Sequence, residues 1–165
     1  MSVSVMTVNV GAPSLDRAQQ QLRWLAARRE DVLVLTETKA TPGSKFLAEA
    51  FAATNHAVVF PEHAPGELGV MIVSRLHITP DPLNTQMSYL PARAAGVIVD
   101  TTTGPVRVIG AYVPSRDSSL AKTERKKTWI QHLHQALNQT ASDAPLLLIG
   151  DLNVIEPTHT PSHRG

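Results

Sequence analysis

The sequence predicts an α/β protein in which strands and helices interleave and helices cover the central strands. Three observations carry that reading. Two continuous apolar runs, Val32-Leu33-Val34-Leu35 and Leu146-Leu147-Leu148-Ile149, have the pattern of strands buried on both faces. Long stretches between the strands repeat apolar residues at helical spacing. No linker, repeat or low-complexity segment divides the chain, so its 165 residues suit one domain, 1–165.

The elements follow in order. Val3 to Val10 alternates polar and apolar residues and is rich in β-branched Val and Thr, so it reads as a strand ended by Gly11-Ala12-Pro13. Ser14 then suits a helix N-cap, with Asp16 in the first turn. Leu15, Ala18, Leu22, Leu25 and Ala26 continue that helix toward Glu30. After the Val32–Leu35 strand come a short helix from Lys45 to Ala53 and strands at Ala57–Phe60 and Val70–Val73. Gly96–Asp100 and Val106–Ala111 form a hairpin around Thr103-Gly104-Pro105. Ser118 to Gln139 is the longest helix, with Trp129, Ile130, Leu133 and Leu137 toward the core. Trp24 and Trp129 are expected to be core aromatics. Leu146–Ile149 is the last strand, and Glu156 to Gly165 reads as loop.

Composition excludes several classes. Without cysteine there are no disulfides, thiolate zinc sites or cysteine nucleophiles, which fits a reducing compartment. A net charge of +1 gives no global basic field, so polyanion binding must come from a local patch. Met1 to Val10 is too short and polar for a signal peptide, and no apolar run approaches ~18 residues. The expected setting is soluble and cytoplasmic.

In open α/β sheets, ligands gather at the carboxyl ends of strands. Asn9, Glu37, Tyr112, Asp151 and Asn153 occupy those positions here. The i, i+2 spacing of Asp151 and Asn153 puts both side chains on one face if the strand continues that far. Carboxylate and amide oxygens are hard ligands suited to Mg²⁺ or Mn²⁺. Such an ion polarises a phosphoryl oxygen, while a phenol and an amide beside it donate to the non-bridging oxygens.

The ordered set resembles the endonuclease/exonuclease/phosphatase family. The matching segments are Met6-Thr7-Val8-Asn9-Val10, Asp31-Val-Leu-Val-Leu-Thr-Glu-Thr-Lys39, Gly69-Val-Met-Ile-Val-Ser-Arg75, Ala111-Tyr-Val-Pro-Ser115 and Leu147-Leu-Ile-Gly-Asp-Leu-Asn-Val154. The resemblance implies a four-layer α/β/β/α sandwich of the deoxyribonuclease-like type and a Mg²⁺- or Mn²⁺-dependent phosphoester hydrolase. Glu37 would be the principal metal ligand, with Asn9 beside the metal. Tyr112 would contact the scissile phosphate, Asp151 would activate or position water, and Asn153 would hold phosphate oxygens. Lys39 and Arg116 would contact the substrate backbone. Tyr-Val-Pro-Ser is most similar to the exonuclease III and abasic-endonuclease branch, which implies DNA as partner and a DNA-repair setting. A lipid or small-molecule phosphoesterase on the same scaffold is the alternative, and a non-catalytic half-domain that binds metal or nucleic acid, or a partner chain, is another.

The sequence departs from the family at Val8, where an aromatic is common, at Thr36, where Gln is usual, and at Gly11-Ala12-Pro13. The family's further Asp and terminal Asp-His pair have no counterpart before Gly165. The fold is therefore expected to be incomplete at its C-terminus, with an open apolar edge through which chains could associate. The 165 residues alone are expected to have little activity, because a general base is typically worth ~10²–10⁴-fold.

Other titratable residues read as structural. His132 and His134 lie roughly 200° apart around a helix and cannot share a metal. Pro161 argues against a helical pair of His159 and His163 as substitutes for the missing histidine. Lys122, Arg125, Lys126 and Lys127 read as a solvated helix face, with phosphate contact as the functional reading.

Overall fold

The structure, a computed structural model, describes residues 3–115 and 119–154. Eight strands and four helices run in the order β1 (Val5–Asn9), α1 (Leu15–Ala26), β2 (Val32–Thr38), α2 (Pro42–Ala52), β3 (Ala57–Val59), β4 (Gly69–Ser74), β5 (Ile78–Pro80), α3 (Leu83–Gln86), β6 (Ala94–Thr101), β7 (Gly104–Tyr112), α4 (Leu120–Gln139) and β8 (Leu146–Asp151). A 3₁₀ turn, Pro91–Arg93, leads into β6.

The strands form two four-stranded mixed sheets, ordered β1-β2-β4-β3 and β5-β6-β7-β8. β1 runs parallel to β2, and β7 parallel to β8; the remaining neighbours are antiparallel. Val32, Val34, Val70 and Ile72 of the first sheet meet Val97, Val99 and Val108 of the second in a buried apolar layer. On the outer face of the first sheet, Leu33, Leu35, Met71 and Val73 pack with Leu25 of α1 and Leu47 and Phe51 of α2. Outside the second sheet, Ile109 and Ala111 pack with Leu83 of α3 and Trp129 and Leu133 of α4. The result is the four-layer α/β/β/α sandwich.

Local chemistry sets the boundaries. Ser14 accepts from the Arg17 amide and starts α1, while Thr41 and Pro42 start α2. Ser119, whose hydroxyl accepts from the Lys122 amide, starts α4. The first helix ends at Ala26, short of Glu30. The hairpin of β6 and β7 forms as read, with Thr101 opposite Gly104.

Three expectations about burial are corrected. Trp24 is 48% exposed and lies under the Arg28 guanidinium, 4.4 Å from its ring centre. Its position one residue before Leu25 turns it about 100° off the buried stripe. Ile130 is exposed for the same reason, because Trp129, Leu133 and Ala136 define the buried stripe of α4. Leu146 and Leu148 are exposed, so β8 is not buried on both faces. Among the described residues β8 pairs with β7 alone.

Asp31, just before β2, ties the chain entering β1 to the sheet. Its Oδ2 accepts from the Ser4 amide at 2.8 Å and the Ser4 hydroxyl at 2.7 Å. The Ser4 backbone bond, its hydroxyl bond and the charge of Arg75 hold the Asp31 carboxyl below its ordinary pKa. A depressed carboxyl stabilises the fold above its unfolded pKa, about 3.9, and that stability is lost as pH falls through the lower folded value. Ser4→Ala is therefore expected to lower the melting temperature at pH 7, with the gap to wild type closing below pH 4. Thermal melts from pH 2 to 7 check this; a gap independent of pH would refute it.

Candidate active site

Parallel pairing brings the polar ends of four strands to one place. Asn9 lies opposite Thr36 at the ends of β1 and β2, and Tyr112 lies opposite Asp151 at the ends of β7 and β8. The two sheets meet there through a single carboxylate oxygen. Glu37 Oε1 accepts from Asn9 Nδ2 at 2.9 Å and from the Tyr112 hydroxyl at 3.2 Å. The Gly11 amide donates to Asn9 Oδ1 at 2.9 Å and so fixes which end of the amide faces Glu37.

Glu37 is presented by a break in its strand. β2 pairs with β4 as Thr36↔Val70 and then Thr38↔Gly69, leaving Glu37 as the extra residue of a bulge. Its φ of +55° is left-handed, a conformation that costs a non-glycine residue ~1–3 kcal/mol. The Ala12 amide donates to the Glu37 carbonyl at 2.7 Å and helps hold it.

Tyr112 rests on a residue the sequence reading missed. Arg93, 5% exposed, lies 4.6 Å from the centre of the Tyr112 ring and donates through Nη1 to the Tyr112 carbonyl at 3.2 Å. The guanidinium forms a cation–π contact beneath the phenol. Burial, then the charge of Arg125, pushes the Arg93 pKa down, while Tyr112 and Glu67 oppose that shift. Burial first, then the Glu37 carboxylate, pushes the Tyr112 pKa above its ordinary value of 10.0. The phenol is therefore a hydrogen-bond donor at neutral pH. Nothing in the sequence flagged Arg93, which lies between a left-handed Leu90 and the start of β6.

Asp151 ends β8, and the chain turns at once. Asp151 Oδ1 accepts from the Asn153 amide at 2.9 Å. Asn153 has a left-handed φ of +48° and donates through Nδ2 to the Val113 carbonyl at 2.7 Å. The strand does not continue to Asn153, so the shared face expected from i, i+2 spacing does not form. Lys126 of α4 donates to the Asn153 carbonyl at 2.6 Å, so this member of the basic cluster braces the turn and is not simply solvated. Lys39 is half-buried one residue past β2, its amide bonded to Ser44. Arg116, His159 and His163 lie outside the described residues. His132 stacks on Tyr89 and bonds Ser88, while His134 is exposed on another face of α4.

The donors suit a hard divalent ion. Glu37 Oε2 and Asp151 Oδ2 receive no hydrogen bond among the described residues. No group of three or more His, Asp or Glu side chains is gathered among them. An ion that takes one or two carboxylates and completes its shell with substrate oxygen and water, as Mg²⁺ does, fits such a set.

The profile of the Endonuclease/Exonuclease/phosphatase family matches residues 6–164. The chain belongs to that family. Among solved structures, it is similar to an AP endonuclease from Archaeoglobus fulgidus, with 25% identity over 94% of this chain and 60% of the other, at a TM-score of 0.68. It is also similar to the 3′ phosphatase NExo from Neisseria bound to product DNA hairpin, with 26% identity over 93% of this chain and 58% of the other, at a TM-score of 0.71. Sphingomyelinase C from Streptomyces griseocarneus, 22% identical over 93% of this chain and 65% of the other at a TM-score of 0.61, shares the fold. The chain thus spans 58–65% of the length of these structures. No helix among the described residues is long and apolar enough to cross a membrane.

Proposed function

We propose that the protein, in its complete form, is a metal-dependent phosphodiester hydrolase acting on DNA. The observation that carries the reading is the convergence of Asn9 and Tyr112 on one oxygen of Glu37, beside Asp151, where the two sheets meet. Glu37, with Asp151 and Asn9 close by, would hold Mg²⁺ or Mn²⁺. The ion would polarise a phosphoryl oxygen and stabilise charge in an in-line displacement.

The chain's own groups have distinct tasks. Asn9 orients Glu37 through its amide hydrogen. Tyr112, protonated and braced by Arg93, donates to a non-bridging phosphate oxygen. Asp151 holds and activates the attacking water, and Asn153 keeps the turn beside it in register. Lys39 and Arg116 contact the substrate backbone. The likenesses to an AP endonuclease and to a 3′ phosphatase bound to a DNA product, both at 25% identity or more, support DNA over a lipid substrate.

The test is cleavage of an abasic duplex by a form that carries the full length of the family structures, set against a one-phosphate substrate, in Mg²⁺ at 50 and 200 mM salt. DNA cleavage that needs the metal, weakens steeply with salt and disappears in Glu37→Gln supports the proposal, because several phosphates must then be contacted. Metal-dependent turnover of the one-phosphate substrate alone, indifferent to salt, would overturn the choice of DNA.

A further inference from the structure

We propose that His63 is a positioning residue for Glu37: by gripping Thr38 from behind, it locks the bulge that turns the Glu37 carboxylate into the site. The inference rests on the reading of Glu37 as metal ligand and deepens it. Among the described residues His63 is hydrogen-bonded to Thr38 and Pro61, neither of them assigned to the site.

A left-handed glutamate inside a strand reverts to ordinary pairing unless both flanks are held. The front flank is held by β1 and its loop: Val10 donates to the Thr36 carbonyl at 3.0 Å and Ala12 to the Glu37 carbonyl at 2.7 Å. The rear flank is Thr38. It is fully buried, and its Oγ1 lies 3.2 Å from His63 Nε2. His63 is itself buried, and its Nδ1 lies 2.7 Å from the Pro61 carbonyl, which can only accept. That bond places the ring proton on Nδ1 and leaves Nε2 to accept from the threonine hydroxyl. Phe60 packs on the imidazole with ring centres 4.9 Å apart.

Gly69 makes the grip possible. It faces Thr38 across the bulge. A Cβ there would stand 2.6 Å from His63 Nε2 and 2.2 Å from the Ala92 carbonyl. Only glycine lets the imidazole reach Thr38 while the turn carrying Arg93 packs against the same point. Three residue types are thus mutually dependent behind Glu37, and a histidine that merely filled a loop would need neither the hydroxyl nor the glycine.

The experiment measures Mn²⁺ binding by calorimetry, and hydrogen exchange of the Ala12 amide, in the full chain. Thr38→Val is the main variant, because it keeps shape and removes only the hydroxyl. His63→Leu, Thr38→Ser and Glu37→Gln accompany it. Outer-shell partners of a metal ligand typically contribute ~10–100-fold in affinity. Thr38→Val and His63→Leu should each weaken Mn²⁺ binding about 10-fold and speed Ala12 exchange, while Thr38→Ser retains both properties. A lowered melting temperature with wild-type Mn²⁺ affinity and Ala12 protection in Thr38→Val would overturn the proposal, because it would make the pair structural only. If Glu37→Gln also binds Mn²⁺ like wild type, the ligand reading of Glu37 fails instead. Ala12 exchange then still decides whether His63 holds the bulge.

Discussion

Asp81→Ala is expected to destabilise the protein by ~3–5 kcal/mol, the usual cost of stripping one partner from a buried ion pair. Arg107 Nε donates to Asp81 Oδ2 at 2.6 Å and Nη2 to Oδ1 at 2.7 Å, a bidentate fork, and Nη2 also reaches Thr140 Oγ1 at 3.1 Å. Asp81 is 1% exposed and Arg107 3%. Asp81 also accepts from the Leu83 amide and so starts α3. The fork, with the charge of Asp81, raises the Arg107 pKa against desolvation. Without Asp81 the guanidinium still keeps its charge, because arginine does not deprotonate in proteins, so it cannot escape the loss by neutralising. At ~2–4 °C per kcal/mol for a chain of this size, the melting temperature should fall by about 6–20 °C. The double variant Asp81→Leu/Arg107→Met should recover most of that loss, because an apolar pair of similar volume carries no desolvation penalty. Denaturant titration of the wild type and the two variants decides the matter; a cost of Asp81→Ala below ~1 kcal/mol would show that water reaches the guanidinium.

That ion pair illustrates what the sequence hides. Arg107 sits in the run Pro105-Val-Arg-Val-Ile109, where strand alternation makes it look solvent-facing, and its partner is 26 residues away. Long apolar runs and helical periods were legible because they are local: Val32–Leu35, Val70–Val73 and, in α4, Trp129 and Leu133 lie where the pattern put them. The elements that escaped, β5, α3 and the Pro91–Arg93 turn, are three or four residues long and lie among Pro80, Pro82 and Pro91. They owe their shape to pairing and packing, not to propensity. Leu146–Ile149 reads like Val32–Leu35, yet its burial differs because an apolar run cannot say how many neighbours a strand has.

The site was legible in part, for a related reason. Asn9, Tyr112 and Asp151 each close a strand and Glu37 stands one residue before the end of its own, and the rule that strands offer ligands their carboxyl ends needs only strand direction. The structure gathers the first three around one oxygen and puts the fourth beside Tyr112. What could not be read was how Glu37 is turned. In unbroken alternation it would share a face with Leu33 and Leu35, which pack under α1 and α2. The bulge reverses that, and its only trace in the sequence is a glycine, Gly69, whose necessity depends on His63 and Ala92. Arg93 left no trace at all, being an ordinary arginine two residues after a proline.

Gly150→Ala is expected to be the most damaging single-methyl change in the chain, costing more than ~4 kcal/mol, a range reached only by a few specific mechanisms. Gly150 lies within β8, opposite Ala111 and with a φ of +146°. A Cβ there would stand 1.9 Å from the Ala111 carbonyl oxygen and 2.9 Å from its carbon and nitrogen. All three obstacles are backbone, so no rotamer change relieves them and β7 must part from β8. That separation breaks the bond from the Val113 amide to the Asp151 carbonyl, 2.9 Å long, and shifts Asp151 relative to Tyr112. Gly104→Ala is the control. Gly104 also has a left-handed φ, +119°, but a Cβ there meets nothing within 4 Å. It should cost only the conformational strain, ~1–3 kcal/mol. The difference between the two variants, measured by denaturant unfolding, isolates the collision from the strain. If Gly150→Ala proves no worse than Gly104→Ala, the β7–β8 contact yields without effort, and close packing there does not fix the position of Asp151.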